Sequence, residues 1–182
     1  MNQSSSRGIQ ATSFGILLAL SFSHFFNDML QSVITAVYPL LKDDLALSFA
    51  QIGMVTLIYQ ISASVFQPIV GLYLDKRPNP WFLPIGMTFT LIGMFNLAFA
   101  STLWWVLLSV SLIGVGSSIL HPEASRITFL ASGGKRGLAQ SLFQVGGNLG
   151  GSLGPLLVAL LIAPYGRQNV VFLCIISLIA IT

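Results

Sequence analysis

Polar and ionisable side chains recur at helical spacing inside otherwise apolar stretches of this chain, and they are the residues able to do chemistry. His24, Asn27, Asp28 and Gln31 fall within an arc of about 100° on a helix, forming one wet face in the middle of an apolar run. Asp28 is the carboxylate of that run. Held away from bulk water, it can take up and release a proton, or it can simply join helices through hydrogen bonds. A second set is His121, Glu123 and Arg126. Glu123 and Arg126 are i,i+3 neighbours able to neutralise each other, and a carboxylate that exchanges its partner would link protonation to helix movement. Pro122 removes the backbone bond to the carbonyl of Ser118 at the same place. His24, Asp28, His121, Glu123 and Arg126 are therefore the candidate proton-coupling groups. No ligand-spacing motif supports a metal at His24, Asp28, His121 and Glu123, so no metal site is expected.

Uncharged polar residues form a further set. Gln140, Gln144 and Asn148 repeat every fourth residue, a spacing suited to a substrate or water path. Asn27, Gln31 and Gln60 are the other candidates for lining such a cavity, although Gln60 and Gln67, around Pro68, serve equally well as bonds between helices. Gly146, Gly150 and Gly154 repeat on another face of the same segment as Gln140, where small residues let a second helix approach closely. Pro155 follows at once and permits a bend.

Lipid-spanning elements must hold these side chains. Of 182 residues, 54% are hydrophobic and 7% charged, with a mean hydropathy of +0.85, whereas roughly a quarter of an ordinary soluble domain is charged. The outside is greasy whatever is put inside, so the solvent is lipid. A helix crosses the ~30 Å hydrocarbon core with about 20 apolar residues, and charged residues punctuate the spans. The pattern predicts spans at 14–38, closed by Pro39, and at 49–74, 81–101, 103–130 and 138–162, with a turn at Ser101-Thr102. The final segment, 169–182, reaches only ~21 Å and is expected to be an incomplete sixth helix. The fold class is thus all-α, a polytopic six-helix bundle, preceded by a tail at residues 1–13.

Arg7, Lys76, Arg77, Lys135 and Arg136 fall on one side of this topology, with Arg126 near it, and Lys42 and Arg167 on the other. The N-terminus is therefore expected in the cytoplasm. The eight basic residues are too few and too scattered for nucleic acid as a partner. Cys174 has no partner for a disulfide or a thiolate cluster. No nucleophile, base and oxyanion set suggests an enzyme, and no strand precedes Gly146–Gly151 to make it a phosphate loop. No cofactor is implied.

The segment from Gly71 to Asp75, Lys76 and Arg77 resembles the loop motif of the major facilitator superfamily, although Pro78, Asn79 and Pro80 stand where a glycine and further basic residues are usual. Gly146 to Pro155 resembles that superfamily's antiporter motif. Ser23-His24, Asn27 to Met29, Gln31-Ser32, Gln67-Pro68, Gly116 to Ser118, His121 to Glu123, Gly137 to Ser141 and Gln144 to Asn148 together resemble the fosmidomycin-resistance branch of bacterial drug efflux proteins, from about Ser13 onward. The resemblance implies a twelve-helix antiporter of two six-helix halves in the bacterial inner membrane. It would exchange protons for a small antibiotic such as fosmidomycin by alternating access, with this chain as the N-terminal half and a C-terminal half as its partner. It also implies a gating role for Gly71, Asp75, Lys76 and Arg77, and packing of Gly150, Gly154 and Pro155 against the second half. The coupling role of Asp28, Glu123 and Arg126 rests on depth and chemistry instead. A facilitator or symporter of the same fold, a channel or assembly subunit that oligomerises through the glycine groove, and an inactive truncated fragment are the alternatives.

Overall fold

The computed structural model describes residues 11–181, without the side chains of 176, 177 and 179–181. Expectations for Arg7, for the tail through residue 10 and for Thr182 lie outside the described residues. Seven α-helices run through the described residues: α1 (Phe14–Ala36), α2 (Tyr38–Asp44), α3 (Phe49–Lys76), α4 (Phe82–Phe99), α5 (Leu103–Ala131), α6 (Arg136–Leu157) and α7 (Val170–Ile181). Four segments, α3, α4, α5 and Arg136–Ile162, are long and apolar enough to cross a membrane. The 23 residues of α1 also suffice by length, but its polar arc lowers its hydropathy. Phe49, Leu72 and Phe95 are exposed on the outside of the bundle, as are Trp81 and Trp104 near helix ends, an arrangement suited to hydrocarbon walls with an aromatic rim.

Local chemistry places the helix ends. At α3, Gln51 N–H donates to Ser48 Oγ at 3.2 Å while Ser48 N–H donates to Gln51 Oε1 at 2.8 Å, a reciprocal cap that satisfies two orphan donors. Pro39 does not end the first span as its position suggested. The break falls at Val37, and Pro39 sits in the first turn of α2, where its missing N–H has no helical partner to lose. Between α5 and α6 the chain turns through Gly133 and Gly134, at φ of 54° and 87°, a conformation that a side chain would oppose. Pro155 lies in the last turn of α6, and the wide turn Val158–Ile162 follows.

Glycines set the helix pairing by letting backbones touch. Gly86 and Gly93 of α4 meet Gly116 and Ser109 of α5, so these two helices are antiparallel. Gly114 meets Tyr59 and Ala63, and Gly71 meets Pro122, so α3 and α5 run the same way. Gly146, Gly150 and Gly154 of α6 lie against the backbones of Ser21, Phe25 and Met29 of α1. The neighbour of this stripe is therefore α1 of the same chain, not the second half that the resemblance suggested, because α1 needs a smooth partner to bury its polar arc beside α6. The core at the far end of α1 is made by Leu30, Val33, Ile34, Val37 and Leu41.

Arg167 ties the end of the bundle where α4 terminates. Its side chain is 10% exposed and donates to the carbonyls of Leu97, Ala98 and Ala100 at the end of α4, where helical donors run out; the Leu97 carbonyl also receives the Ala100 N–H, at 3.4 Å. It also pairs with Asp44 at 3.3 Å. Arg167→Met strands those carbonyls and should lower stability in detergent by about 1–3 kcal/mol. Asp44→Asn should cost under about 1 kcal/mol, since this carboxylate is half exposed. Thermal unfolding of the two variants checks the difference.

Candidate functional site

Three helices converge on the carboxylate of Asp28. On α1, His24 precedes it by one turn, and His24 Nε2 lies 3.1 Å from Asp28 Oδ2. From α5, His121 Nε2 lies 3.2 Å from the other oxygen, Oδ1. His24 is held from behind by α6: its Nδ1 donates to the Phe143 carbonyl at 2.9 Å, and its ring stacks on the Phe143 ring at 4.0 Å. His121 is held by its own helix, with Nδ1 2.9 Å from the Ser117 carbonyl. The side chain of His24 is 4% exposed, whereas those of Asp28 and His121 are 27% and 26% exposed. The cluster is therefore closed on the α6 side and open on the α5 side.

A carbonyl oxygen only accepts, so the Nδ1 of His24 carries hydrogen; the Nδ1 of His121 meets the Ser117 hydroxyl at 3.2 Å as well as the carbonyl, and both Nε2 atoms face the carboxylate. The ligand atoms of His24, Asp28 and His121 lie within 4.8 Å of one another, a spread that would admit a cation. Each imidazole lies at hydrogen-bond length from a different oxygen of the carboxylate. Glu123, the fourth residue of the metal set weighed from the sequence, is not part of this group.

Neutral hydrogen bonds surround the cluster. Asn27 is fully buried; its amide donates to Asp28 Oδ1 at 3.2 Å and its oxygen accepts from Thr90 of α4 at 3.3 Å. Gln31 accepts from the Tyr59 hydroxyl of α3 at 2.5 Å, and its Nε2 is buried without a partner among the described residues. Gly147 of α6 lies against the triad itself: a methyl group there would stand 2.5 Å from His24 Cε1 and 2.8 Å from Asp28 Oδ2. Tyr59, Thr90 and Phe143 carried no sequence signal, since single hydroxyls and aromatics on apolar helices are ordinary; Ser117 entered only within the stretch Gly116 to Ser118 of the resemblance. Gly147 was legible only as a neighbour of the glycine stripe.

Glu123 and Arg126 form a separate unit. Arg126 grips Glu123 with two hydrogen bonds, at 2.9 Å and 2.7 Å, and the Glu123 side chain has no exposure. Asp75, near the end of α3, also acts on Arg126 electrostatically. Asp75, Lys76 and Arg77 are exposed at that end, and Gly71 is half-buried. Of the uncharged candidates, Gln140 donates to Ser125 of α5 at 2.9 Å, while Gln60, Gln144 and Asn148 stand exposed on the bundle.

Residues 20–182 match the model of the Major Facilitator Superfamily. The chain is 58% identical over 170 residues to the Fosmidomycin resistance protein of Escherichia coli (strain K12). It is 43% identical over 170 residues to the uncharacterized MFS-type transporter YfnC of Bacillus subtilis (strain 168). Both alignments take in 93% of this chain, which spans 42% of the length of each relative. Among solved structures, it superposes with a TM-score of 0.72 and 20% identity on a bacterial homologue of the human lysosomal transporter Spinster, in an inward-facing, unoccupied conformation, covering 92% of this chain and 40% of that one.

Two outcomes follow from the packing around these groups. Gly147→Ala should cost about 1–3 kcal/mol by overpacking against the triad, whereas Gly151→Ala, with open space at its Cβ, should be neutral or stabilising. Arg126→Ala leaves a buried carboxylate uncompensated and should cost about 3–5 kcal/mol, with much of the loss restored by adding Glu123→Gln. Thermal unfolding in detergent measures both.

Proposed function

The chain belongs to the Major Facilitator Superfamily, and from that premise we propose that it forms the N-terminal half of a proton-coupled exporter of a small antibiotic such as fosmidomycin, working by alternating access in the bacterial inner membrane. Asp28 and the two imidazoles bonded to it together form the proton-carrying site. The observation that carries this reading is a carboxylate at the meeting of α1, α5 and α6, bonded to two imidazoles and still 27% exposed, as a group that must exchange protons with a water-filled crevice requires. The name of the 58%-identical relative supports the substrate class.

The other residues take roles consistent with their places. His24 and His121 share the proton with Asp28. Glu123 and Arg126, paired bidentately and closed to water on the carboxylate side, act as a neutral strut that keeps α5 rigid beyond Pro122. Gln31, with its unspent Nε2 donor, and the exposed Gln144, Asn148 and Gln60 line the path that a second half would cover, with Asn27 and Gln140 fixing the helices behind them. Gly71, Asp75, Lys76 and Arg77 belong to a gate on the cytoplasmic side, where the N-terminus also lies. Rocking the halves around Asp28 alternates its access, and the membrane potential contributes about 2.3 kcal/mol per charge per 100 mV.

In a full-length transporter carrying this chain as its first half, Asp28→Asn should abolish proton-driven export and leave membrane insertion unchanged. Antibiotic resistance undiminished at matched expression would overturn the assignment.

A further inference from the structure

We propose that the His24–Asp28–His121 triad stores two protons at once, and that the second of them, on His121, is the latch that holds α5 to α1. The inference rests on the proton-carrier reading above and deepens it by naming how many protons the site holds and which bond breaks when one leaves.

The hydrogen count follows from the contacts. Each Nδ1 faces a backbone carbonyl at 2.9 Å, and in the proposed store each carries a hydrogen; the Ser117 hydroxyl, 3.2 Å from His121 Nδ1, then accepts the same hydrogen. Each Nε2 faces one oxygen of the same carboxylate, at 3.1 Å and 3.2 Å. With no further proton, the nitrogen lone pairs oppose oxygen lone pairs in both contacts and the triad is net negative. One proton makes one N–H···O bond, leaves the other contact repulsive and renders the triad neutral. Two protons, one on each Nε2, turn both contacts into charge-assisted bonds and leave the triad positive by one charge. Two short contacts side by side are what the proposed doubly protonated form requires, each bond being donated by a ring N–H.

The two arms differ in what releases them. His24 lies on the same helix as Asp28, is stacked on Phe143 and is pinned to α6, so losing its proton cannot separate it from the carboxylate. His121 belongs to another helix; its hydrogen bonds apart from Asp28 go to its own preceding turn, and its ring meets the His24 ring edge-on, with centroids 5.0 Å apart. Pro122 beside it deprives that turn of a backbone bond. When the Nε2 proton of His121 passes to water, the bond across the α1–α5 seam is replaced by repulsion, and α5 yields. The ionisable groups that face the triad are few: Tyr59 from α3, and on α5 the Glu123–Arg126 pair, which neutralises itself. The described residues of α4 include no ionisable group, and α6 has only Arg136 at its start, beside Phe129.

This chain holds two histidines; in a full-length transporter carrying it, 15N-histidine NMR assigns these two rings by the signals lost in His24→Gln and His121→Gln. Across a pH titration, both Nδ1 atoms should stay protonated and both Nε2 atoms should take up a proton, two in all. His121→Gln should reduce the uptake to one with helicity retained. A bare Nδ1 on either ring, or a ring that never takes up a proton, would overturn the two-proton store. To test the latch, spin labels on α1 and α5 should move apart on release of the His121 proton in the unaltered chain and show one pH-independent distance in His121→Gln. An unchanged distance in the unaltered chain overturns the latch. These readouts need no transport, so a single-proton result leaves the export reading standing, while intact export in Asp28→Asn overturns that reading and leaves the proton count as measured.

Discussion

A carboxylate at membrane depth is tolerated only when the protein supplies its partners, and the arrangement of three helices follows from supplying them to Asp28. His24 comes from the same helix one turn earlier, His121 from α5, and the backbone of α6 closes the back of the site through the Phe143 carbonyl. That last contact requires α6 to lie against α1 with nothing between the backbones. The glycines at 146, 147 and 150 make this possible, since a methyl group at any of them would enter atoms of α1. The glycine stripe and the ionisable cluster are two parts of one constraint.

The same chemistry is used for opposite ends a few residues further along α5. Glu123 is fully buried and held by both arms of a guanidinium, so its charge is compensated in one fixed geometry. Asp28 is shared between two imidazoles that can each be charged or neutral, and it is partly open. A bidentate pair with a permanently charged Arg126 resists change, whereas bonds to histidine depend on protons that come and go. The exchangeable partner His121 and the rigidly held Glu123 thus sit two residues apart on one helix, separated by Pro122.

Much of the fold was legible in the sequence because membrane helices are specified locally. The scarcity of charge, the length of each apolar run and the turn signal at Ser101-Thr102 suffice for an all-α bundle, since the backbone has no other way to satisfy itself in lipid. Where the reading slipped, it did so over something local patterns leave open. Pro39 breaks one helix or begins another with equal ease, and packing of Val37 and Leu41 into the core decided for a short α2. The latch of Arg167 onto α4 joins residues some 70 positions apart, a separation at which no sequence spacing carries information.

For the site, the sequence by itself determined that His24, Asn27, Asp28 and Gln31 share one face, and that Glu123 and Arg126 can meet, because both statements depend only on the helical repeat. Only the tertiary structure decided that His121 joins Asp28 while Glu123 does not, that Gly146, Gly150 and Gly154 receive α1, and that Tyr59 and Phe143 complete the surroundings. The physical reason is that helical periodicity fixes the direction of a side chain from its own axis. Which axis lies opposite, and at what height, is set by the sum of all the backbone contacts that small residues allow.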